Sequence, residues 1–128
     1  MIRTMLQAKL HNVIVTNAVL DYEGSCGIDQ ALVDATGLRA NQKIDIYNVS
    51  NGERFSTYII LAPRDSGEIS LNGAAARKVV VGDRLIICAY AGYDDHELRD
   101  YTPIVALVSQ QNRAFKLLHG LGSCVEGP

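Results

Sequence analysis

KIDIYNV (Lys43 to Val49), a turn at Asn51-Gly52 and RFSTYIIL (Arg54 to Leu61) together form the stretch of this 128-residue sequence that decides the fold class. The first segment alternates apolar and polar residues, which is typical of a strand with one buried face. Asn-Gly favours a tight hairpin turn because both positions accept a positive φ. We therefore predict a β-hairpin over residues 43–61.

Further strand patterns lie on both sides of the hairpin. Asn12 to Leu20 (NVIVTNAVL) is rich in β-branched residues, and Arg84 to Tyr90 (RLIICAY) is nearly all apolar, as expected of a strand buried on both faces. Ile69 to Leu71 and Tyr101 to Ser109 (YTPIVALVS) complete the predicted set. From Gln110 onwards we expect a loosely held tail.

Two short helical segments separate these strands. Ile28 to Thr36 (IDQALVDAT) has apolar residues at the spacing of one helical face, and Gly37 is a natural helix stop. Asn72 to Arg77 (NGAAAR) predicts a tight turn that enters a helical turn. A helical stretch followed by a strand thus occurs twice, which suggests a pseudo-duplicated barrel, and a closed barrel removes exposed strand edges. We predict a single, mainly β domain: a β-barrel with short helices.

The composition argues against several classes of protein. A net charge of -2, from 12 basic and 14 acidic residues, lacks the basic excess that nucleic-acid binding requires. No apolar run is long enough for a membrane span, and MIRTMLQAKLHN does not resemble a signal peptide. Cys26, Cys88 and Cys124 are odd in number and contain no C-x-x-C pair, so neither a disulfide framework nor a metal site is indicated. We expect a cytoplasmic protein.

The segment most informative about chemistry is Tyr22-Glu23-Gly24-Ser25-Cys26. A Gly-Ser pair alone usually marks a turn, so the segment gains meaning from the motifs that accompany it. These are Lys9-Leu10-His11, the Arg54 to Tyr58 block (RFSTY) and the Asn72 to Ala76 block (NGAAA). In one register, from MIRTMLQAKLH to Val81-Gly82-Asp83, the sequence resembles the family of pyruvoyl-dependent aspartate decarboxylases.

The resemblance implies a fold, an activity and a maturation step. Members of this family form a double-psi β-barrel, assemble as homotetramers and convert L-aspartate to β-alanine and CO2 for pantothenate biosynthesis. They cut their own chain at a Gly-Ser bond. Here that bond is Gly24-Ser25, which would leave a small chain 1–24 and a large chain 25–128, with Ser25 converted to the pyruvoyl group.

The resemblance also implies residue roles. The pyruvoyl group from Ser25 would form a Schiff base with the substrate amine, and Tyr58 would be the proton donor. Arg54 and Lys9 would bind carboxylates, since a guanidinium offers a bidentate fork and an ammonium a point charge. The substrate-binding set is Lys9, Arg54, Thr57, Gly73, Ala74 and Ala75. The processing set is Gly24, Ser25 and Thr57, with Tyr22, His11 and Asn72 as further candidates.

The processing chemistry predicts one long-range contact. The Ser25 hydroxyl would attack the Gly24 carbonyl, where the absence of a Cβ allows a strained backbone, and Thr57 would stabilise the oxyanion. We therefore expect the Thr57 hydroxyl within about 2.6 to 3.2 Å of the Gly24 carbonyl oxygen, or one bridging water away. This contact requires strand 54–61 to run beside the end of the first strand, with Thr57 facing the processing loop and Tyr58 facing the opposite side.

Alternatives remain open at this stage. Cys26 paired with His11 would suggest a cysteine hydrolase, although no catalytic-cysteine signature surrounds Cys26. A non-catalytic β-barrel binding module and a pyruvoyl decarboxylase of another amino acid are also compatible with the pattern. The chain departs from its relatives at Tyr47, where many have tryptophan, and at Cys26-Gly27, where small residues such as alanine are usual. Cleavage could be spontaneous or need a maturation helper protein.

Overall fold

The structure is a computed structural model that describes residues 1–119. Cys124 and the last part of the predicted tail lie outside the described residues. Two short 3₁₀ helices, Gly73–Lys78 and Glu97–Asp100, accompany the regular elements. These elements are β1 (Ile2–Ile14), β2 (Asn17–Val19), β3 (Ser25–Asp29), α1 (Gln30–Thr36), β4 (Lys43–Asn48), β5 (Arg54–Ala62), β6 (Ile69–Asn72), β7 (Arg84–Asp94), β8 (Ile104–Ser109) and β9 (Ala114–His119).

The described strands form one sheet, in the order β2-β6-β3-β5-β4-β7-β1-β8-β9. The chain runs directly from β1 into β2, and β2 pairs in parallel with β6. At the junction, the Thr16 backbone N–H donates to the Ile69 carbonyl at 2.8 Å. The sheet therefore curls round until β1 and β2 close it, which confirms a mainly β barrel with short helices. The core contains the buried side chains Leu10, Ile28, Ile44, Ile46, Ile59, Leu71, Leu85 and Ile87.

The predicted hairpin is confirmed. β4 and β5 pair antiparallel, with Tyr47 opposite Arg54 and Lys43 opposite Tyr58. Gly52 has a φ of 82°, which is the left-handed conformation that the Asn-Gly pair favours. The arms of the hairpin then pair outwards, β4 with β7 and β5 with β3.

The first strand was placed too late in the sequence. It spans Ile2–Ile14, and residues 17–19 form the separate strand β2. Pairing of β1 with β7 shifts register between Leu6 and Ala8 and again between His11 and Val13. Each bulge interrupts the alternation of inward and outward side chains, so the sequence of β1 lacks a clean strand pattern.

The helix prediction was correct in type but began too early. Ile28 belongs to β3, and α1 begins at Gln30 because the Asp29 carboxylate caps it by accepting from the Ala31 backbone N–H at 2.9 Å. Gly37 ends the helix with a φ of 73°. Strand β3 itself was missed, since Ser25 to Asp29 is buried at every position and shows no alternation.

The prediction of a loose tail from Gln110 was wrong for the described part. Residues 110–113 form a turn, and Ala114–His119 pairs antiparallel with β8 as β9. Positive φ values at Gln110, Gln111 and Asn112 make this turn. The buried Asn112 side chain then donates to the Ile14 and Gly67 carbonyls, both at 2.8 Å, and so ties the turn to the barrel.

Candidate active site

Ser25 opens strand β3 with its side chain buried. It is 2% exposed and lies opposite Asn72 in the antiparallel pairing of β3 with β6. The Asn72 side-chain amide donates to Ser25 Oγ at 3.0 Å, and the serine hydroxyl donates more weakly to the Glu23 carbonyl at 3.4 Å. The hydroxyl is therefore held between a partner on β6 and the loop that carries Gly24. Asn72, a secondary candidate in the sequence, is the direct partner of Ser25.

The backbone of Gly73 packs directly against Gly24. A Cβ on Gly73 would lie 2.8 Å from both the N and Cα atoms of Gly24, and 2.9 Å from the Tyr22 carbonyl oxygen. Gly73 also has a φ of 66°, so it combines a left-handed backbone with a close approach that other residues cannot make. Gly24 itself has no positive φ, and a Cβ there would meet no atom within 4 Å. Gly24 thus does not adopt a left-handed backbone, and of these two positions the one that requires glycine is Gly73.

Thr57 and Tyr58 reach this region from β5. A cavity of about 390 Å³ is lined by Gly24, Thr57, Tyr58, Ala74 and Ala75, among others. Strand β5 pairs in parallel with β3, with Cys26 opposite Ile59. The sequence had predicted that β5 runs beside the end of the first strand, but its neighbour is the strand that begins at Ser25. The 3₁₀ helix at residues 73–78 supplies the two alanines of the cavity wall.

The predicted hydrogen bond between Thr57 and Gly24 is not formed. Both residues line the same cavity, but within residues 1–119 no hydrogen bond joins the Thr57 hydroxyl to the Gly24 carbonyl. Tyr58 lines this cavity and a second one that also contains Tyr22 and Ser25. The expectation that Tyr58 serves only the side away from the processing loop was therefore wrong. Its ring is 37% exposed and borders both cavities.

Lys9 and Arg54 lie apart from Ser25. Lys9 is on β1, which is four places from β3 in the strand order of the sheet. Arg54 is the first residue of β5, four positions before Tyr58 and roughly 13 Å from it along the strand. Neither residue lines the two cavities that contain Gly24 and Ser25. Within one chain, the predicted processing residues and the predicted carboxylate-binding cations therefore do not share a cavity.

The two cations surround Cys88 on the outer face of β1, β7 and β4. Lys9 is opposite Cys88, and Cys88 is opposite Asp45. Burial raises the pKa of the Cys88 thiol, whereas a hydrogen bond with Tyr90 and the charges of Lys9 and Arg54 act to lower it. We call Lys9, Asp45, Tyr47, Arg54, Cys88 and Tyr90 the cation cluster.

Stacking and hydrogen bonding organise one end of the cation cluster. The Arg54 guanidinium carbon lies 3.9 Å from the centre of the Tyr47 ring. The Tyr47 and Tyr90 hydroxyl oxygens are 3.0 Å apart, and this hydrogen bond, followed by burial, raises the pKa of Tyr90. The strand alternation of the hairpin could have indicated the Tyr47 and Arg54 pair. No local signal in the sequence brings Asp45, Cys88 and Tyr90 into the group.

His11 lines neither of the cavities that contain Gly24 and Ser25. It lies on β1 opposite Ile86, and among the described residues its Nδ1 atom is buried without a hydrogen-bond partner. Burial, followed by the charge of Lys9, lowers the pKa of His11. The imidazole is therefore biased towards its neutral form.

Cys26 is an inert core residue. It is fully buried between Ile59 of β5 and Leu71 of β6, and burial raises the pKa of its thiol to about 12. A thiol must ionise to act as a nucleophile, and His11 lies several strands away. The cysteine-hydrolase alternative is thus contradicted. In the described part of the chain, Cys26 and Cys88 are both free.

Other site types receive no support from residues 1–119. No group of three or more His, Cys, Asp or Glu side chains in this range is arranged to hold a metal ion. No helix in the same range is long and apolar enough to cross a membrane.

Comparison with known proteins identifies the family of this chain. A family model described as aspartate decarboxylase matches residues 1–115. Aspartate 1-decarboxylase of Ralstonia nicotianae is 60% identical over 111 residues, covering 87% of this chain and 92% of the relative. The enzymes of the same name from Cupriavidus taiwanensis and Bordetella avium are 62% and 59% identical, covering 86% and 87% of this chain and 92% and 91% of the relatives. The chain belongs to the aspartate decarboxylase family.

Proposed function

We propose that this protein decarboxylates L-aspartate to β-alanine and CO2, the step that supplies pantothenate and coenzyme A synthesis, after it cuts its own Gly24-Ser25 bond. The products of cleavage are chain 1–24 and chain 25–128. One observation carries the proposal: a buried serine hydroxyl, held by Asn72, directly follows a glycine against which Gly73 is packed. Membership of the family supports the same reaction.

Cleavage follows from groups that lie at Ser25. Its hydroxyl attacks the Gly24 carbonyl carbon, the hydroxyl proton passes to the amide nitrogen, and an ester replaces the amide. Loss of the Ser25 α-proton then expels the Gly24 carboxylate from the β-carbon and leaves dehydroalanine at position 25. Water converts dehydroalanine to the keto group and releases ammonia. Thr57, which lines the cavity beside Gly24, donates to the oxyanion that forms in the first step.

The residues around position 25 fit a pyruvoyl group. Asn72 supplies an amide donor to an oxygen at this position, and Gly73 leaves free the space that a Cβ would fill beside Gly24. A pyruvoyl group supplies a ketone that condenses with the substrate amine and accepts the electron pair released with CO2. Tyr58 donates the proton that the substrate carbon takes up after CO2 leaves, since its ring borders the cavity that contains Ser25.

Substrate binding involves two kinds of group. Arg54 and Lys9 bind carboxylate, because the guanidinium is a planar fork and the ammonium a compact charge. Thr57, Gly73, Ala74 and Ala75 shape the wall beside Gly24, where the small side chains leave room for substrate. Retention of both cations favours a dicarboxylate over an amino acid with an apolar side chain.

The separation of the cations from Ser25 supports a site shared between subunits. Neither Lys9 nor Arg54 lines the cavities that contain Gly24 and Ser25 within one chain. In a homotetramer, the cation cluster of one subunit meets the Ser25 cavity of its neighbour, and a complete site forms. The tetramer works in the cytoplasm, and a helper protein is needed only if the purified precursor does not cleave unaided.

Intact-mass measurement tests the proposal. The purified wild-type protein is expected as two fragments, with Ser25 converted and ammonia lost, whereas Ser25→Ala stays whole. The mature protein is then offered aspartate, glutamate and other amino acids, and β-alanine and CO2 are measured. Efficient cleavage of Ser25→Ala would contradict the proposed role of the Ser25 hydroxyl in cleavage. Turnover of another amino acid in preference to aspartate would leave the cleavage chemistry standing and correct the substrate.

A further inference from the structure

A hydrogen bond between the hydroxyl groups of Tyr47 and Tyr90 links strands β4 and β7. Tyr47 is opposite Ile86 in the pairing of β4 with β7, and Tyr90 lies further along β7, beyond Cys88. The hydroxyl oxygens nevertheless meet at 3.0 Å, so the two rings lean towards each other along the sheet. Because each ring is attached to a different strand of the barrel, the hydrogen bond restricts the tilt of both.

The restricted ring is the platform on which Arg54 lies. Tyr47 is the cross-strand neighbour of Arg54, and the guanidinium carbon sits 3.9 Å from the ring centre. Within residues 1–119 the Arg54 guanidinium forms neither a hydrogen bond nor an ion pair, so the ring is what orients it. Its N–H groups therefore remain available for a carboxylate.

A mobile arginine side chain loses conformational entropy when it binds a ligand. Holding the side chain in place beforehand removes part of that entropic cost. A guanidinium stacked on a fixed ring has its plane defined, and a bidentate carboxylate contact requires a defined plane. Within residues 1–119 the Tyr90 hydroxyl makes no hydrogen bond to Arg54, and Tyr90 does not line the cavity of Ser25, so its effect on the plane of the guanidinium passes through Tyr47.

We propose that Tyr90 is a positioning residue for carboxylate recognition: through its hydroxyl it holds the Tyr47 ring, and through that ring the plane of the Arg54 guanidinium. This inference rests on the proposed role of Arg54 in binding aspartate. It assigns to the Tyr47 and Tyr90 pair a share of the affinity for a dicarboxylic amino acid, and no part in cleavage or in proton transfer.

The test uses the mature enzyme with Tyr90→Phe, Tyr47→Phe and the double variant, which keep both rings and remove the hydroxyls. Each single variant is expected to raise KM for aspartate, and the inhibition constant of succinate, by about fivefold with kcat within about twofold. Succinate has both carboxylates but no amine, so its inhibition constant reports carboxylate binding alone. The double variant is expected to match the single ones, because one hydrogen bond is lost in all three. Tyr93→Phe, on the same strand, is the control, since in residues 1–119 its hydroxyl makes no hydrogen bond.

Unchanged KM and succinate inhibition in Tyr90→Phe would overturn the inference, and so would additive effects in the double variant or a loss of cleavage. Arg54→Ala separates this failure from that of the proposed function. If Arg54→Ala weakens succinate binding while Tyr90→Phe does not, Arg54 binds carboxylate without the help of Tyr90. If Arg54→Ala also leaves succinate binding unchanged, the proposed role of Arg54 is wrong. The positioning role proposed for Tyr90 is then wrong as well.

Discussion

The side-chain amide of Asn72 donates a 3.0 Å hydrogen bond to Ser25 Oγ across a separation of 47 positions in the sequence. Both residues are buried, at 3% and 2% exposed, and they stand opposite each other where β3 and β6 pair. A buried hydroxyl with a fixed donor has few orientations available. In the proposed cleavage, Asn72 therefore limits the direction from which the Ser25 oxygen approaches the Gly24 carbonyl.

Replacement of Asn72 by alanine should slow cleavage by roughly tenfold or more, because the hydroxyl loses the donor that orients it. The rate is followed by intact mass after the precursor is isolated. Ser70→Ala is the matched control, since Ser70 is buried on the same strand but its hydroxyl donates to Glu68. Equal rates in wild type and Asn72→Ala would show that Ser25 needs no help from β6.

Gly73→Ala should destabilise the precursor, because a Cβ would lie 2.8 Å from the Gly24 backbone and the φ of 66° disfavours any side chain. In the uncleavable Ser25→Ala background we expect a Tm lower by roughly 4 °C or more. Gly24→Ala in the same background is the control, as no atom lies within 4 Å of its Cβ position. A larger loss of Tm in Gly24→Ala would contradict the packing described for this pair.

Thr57 is expected to act only once the oxyanion forms, since it shares a cavity with Gly24 without a hydrogen bond to it. Thr57→Val keeps the shape of the side chain and removes its donor, so cleavage should slow by roughly tenfold or more. Thr57→Ser keeps a hydroxyl and should cleave within about threefold of the wild-type rate. Cleavage of the valine variant at the wild-type rate would remove Thr57 from the mechanism.

Arg54→Ala should cleave normally and then turn over aspartate poorly. Arg54 lines neither cavity that contains Gly24 and Ser25, so its loss should leave the hydrogen bond between Asn72 and Ser25 in place. Loss of a charged bidentate contact should lower kcat/KM by about 100-fold. Arg99→Ala, at an exposed position in the turn after β7, controls for the loss of one positive charge. An unchanged kcat/KM would exclude Arg54 from the site.

The buried Cys26 thiol predicts a loss of stability in alkali. Burial raises its pKa from 9.0 to about 12, so between these values the folded chain keeps a proton that the unfolded chain has released. The contribution of Cys26 to the free energy of unfolding is therefore fully present below pH 9.0. Above pH 9.0 this contribution falls by at most about 1.4 kcal/mol per pH unit. Denaturant unfolding in the Ser25→Ala background at about pH 8 and about pH 10.5 measures it. Cys26→Ala should lose less stability over this interval, and an identical loss would mean that Cys26 ionises freely when folded.

Local patterns in the sequence were enough to predict the β4–β5 hairpin and the barrel class. Asn51-Gly52 and the alternation on both arms are local, so turn chemistry and side-chain period act together over a few residues. The same reasoning missed β3, which is buried at every position, and the start of β1, whose bulges break the alternation. It also missed β9, because residues 110–112, which turn the chain with positive φ, contain no Gly or Pro to mark a turn.

The sequence by itself determined which residues are available for the proposed chemistry: the Gly24-Ser25 bond, Tyr58, and the pair Lys9 and Arg54. The tertiary structure alone decided how they are grouped. Long-range strand pairing sets β3 between β5 and β6, which brings Asn72 onto Ser25 and Gly73 against Gly24. The same order puts β1 four places from β3, and Lys9 lies outside both cavities that contain Gly24 and Ser25. Which strands become neighbours depends on burying one closed core, and no short stretch of sequence contains that information.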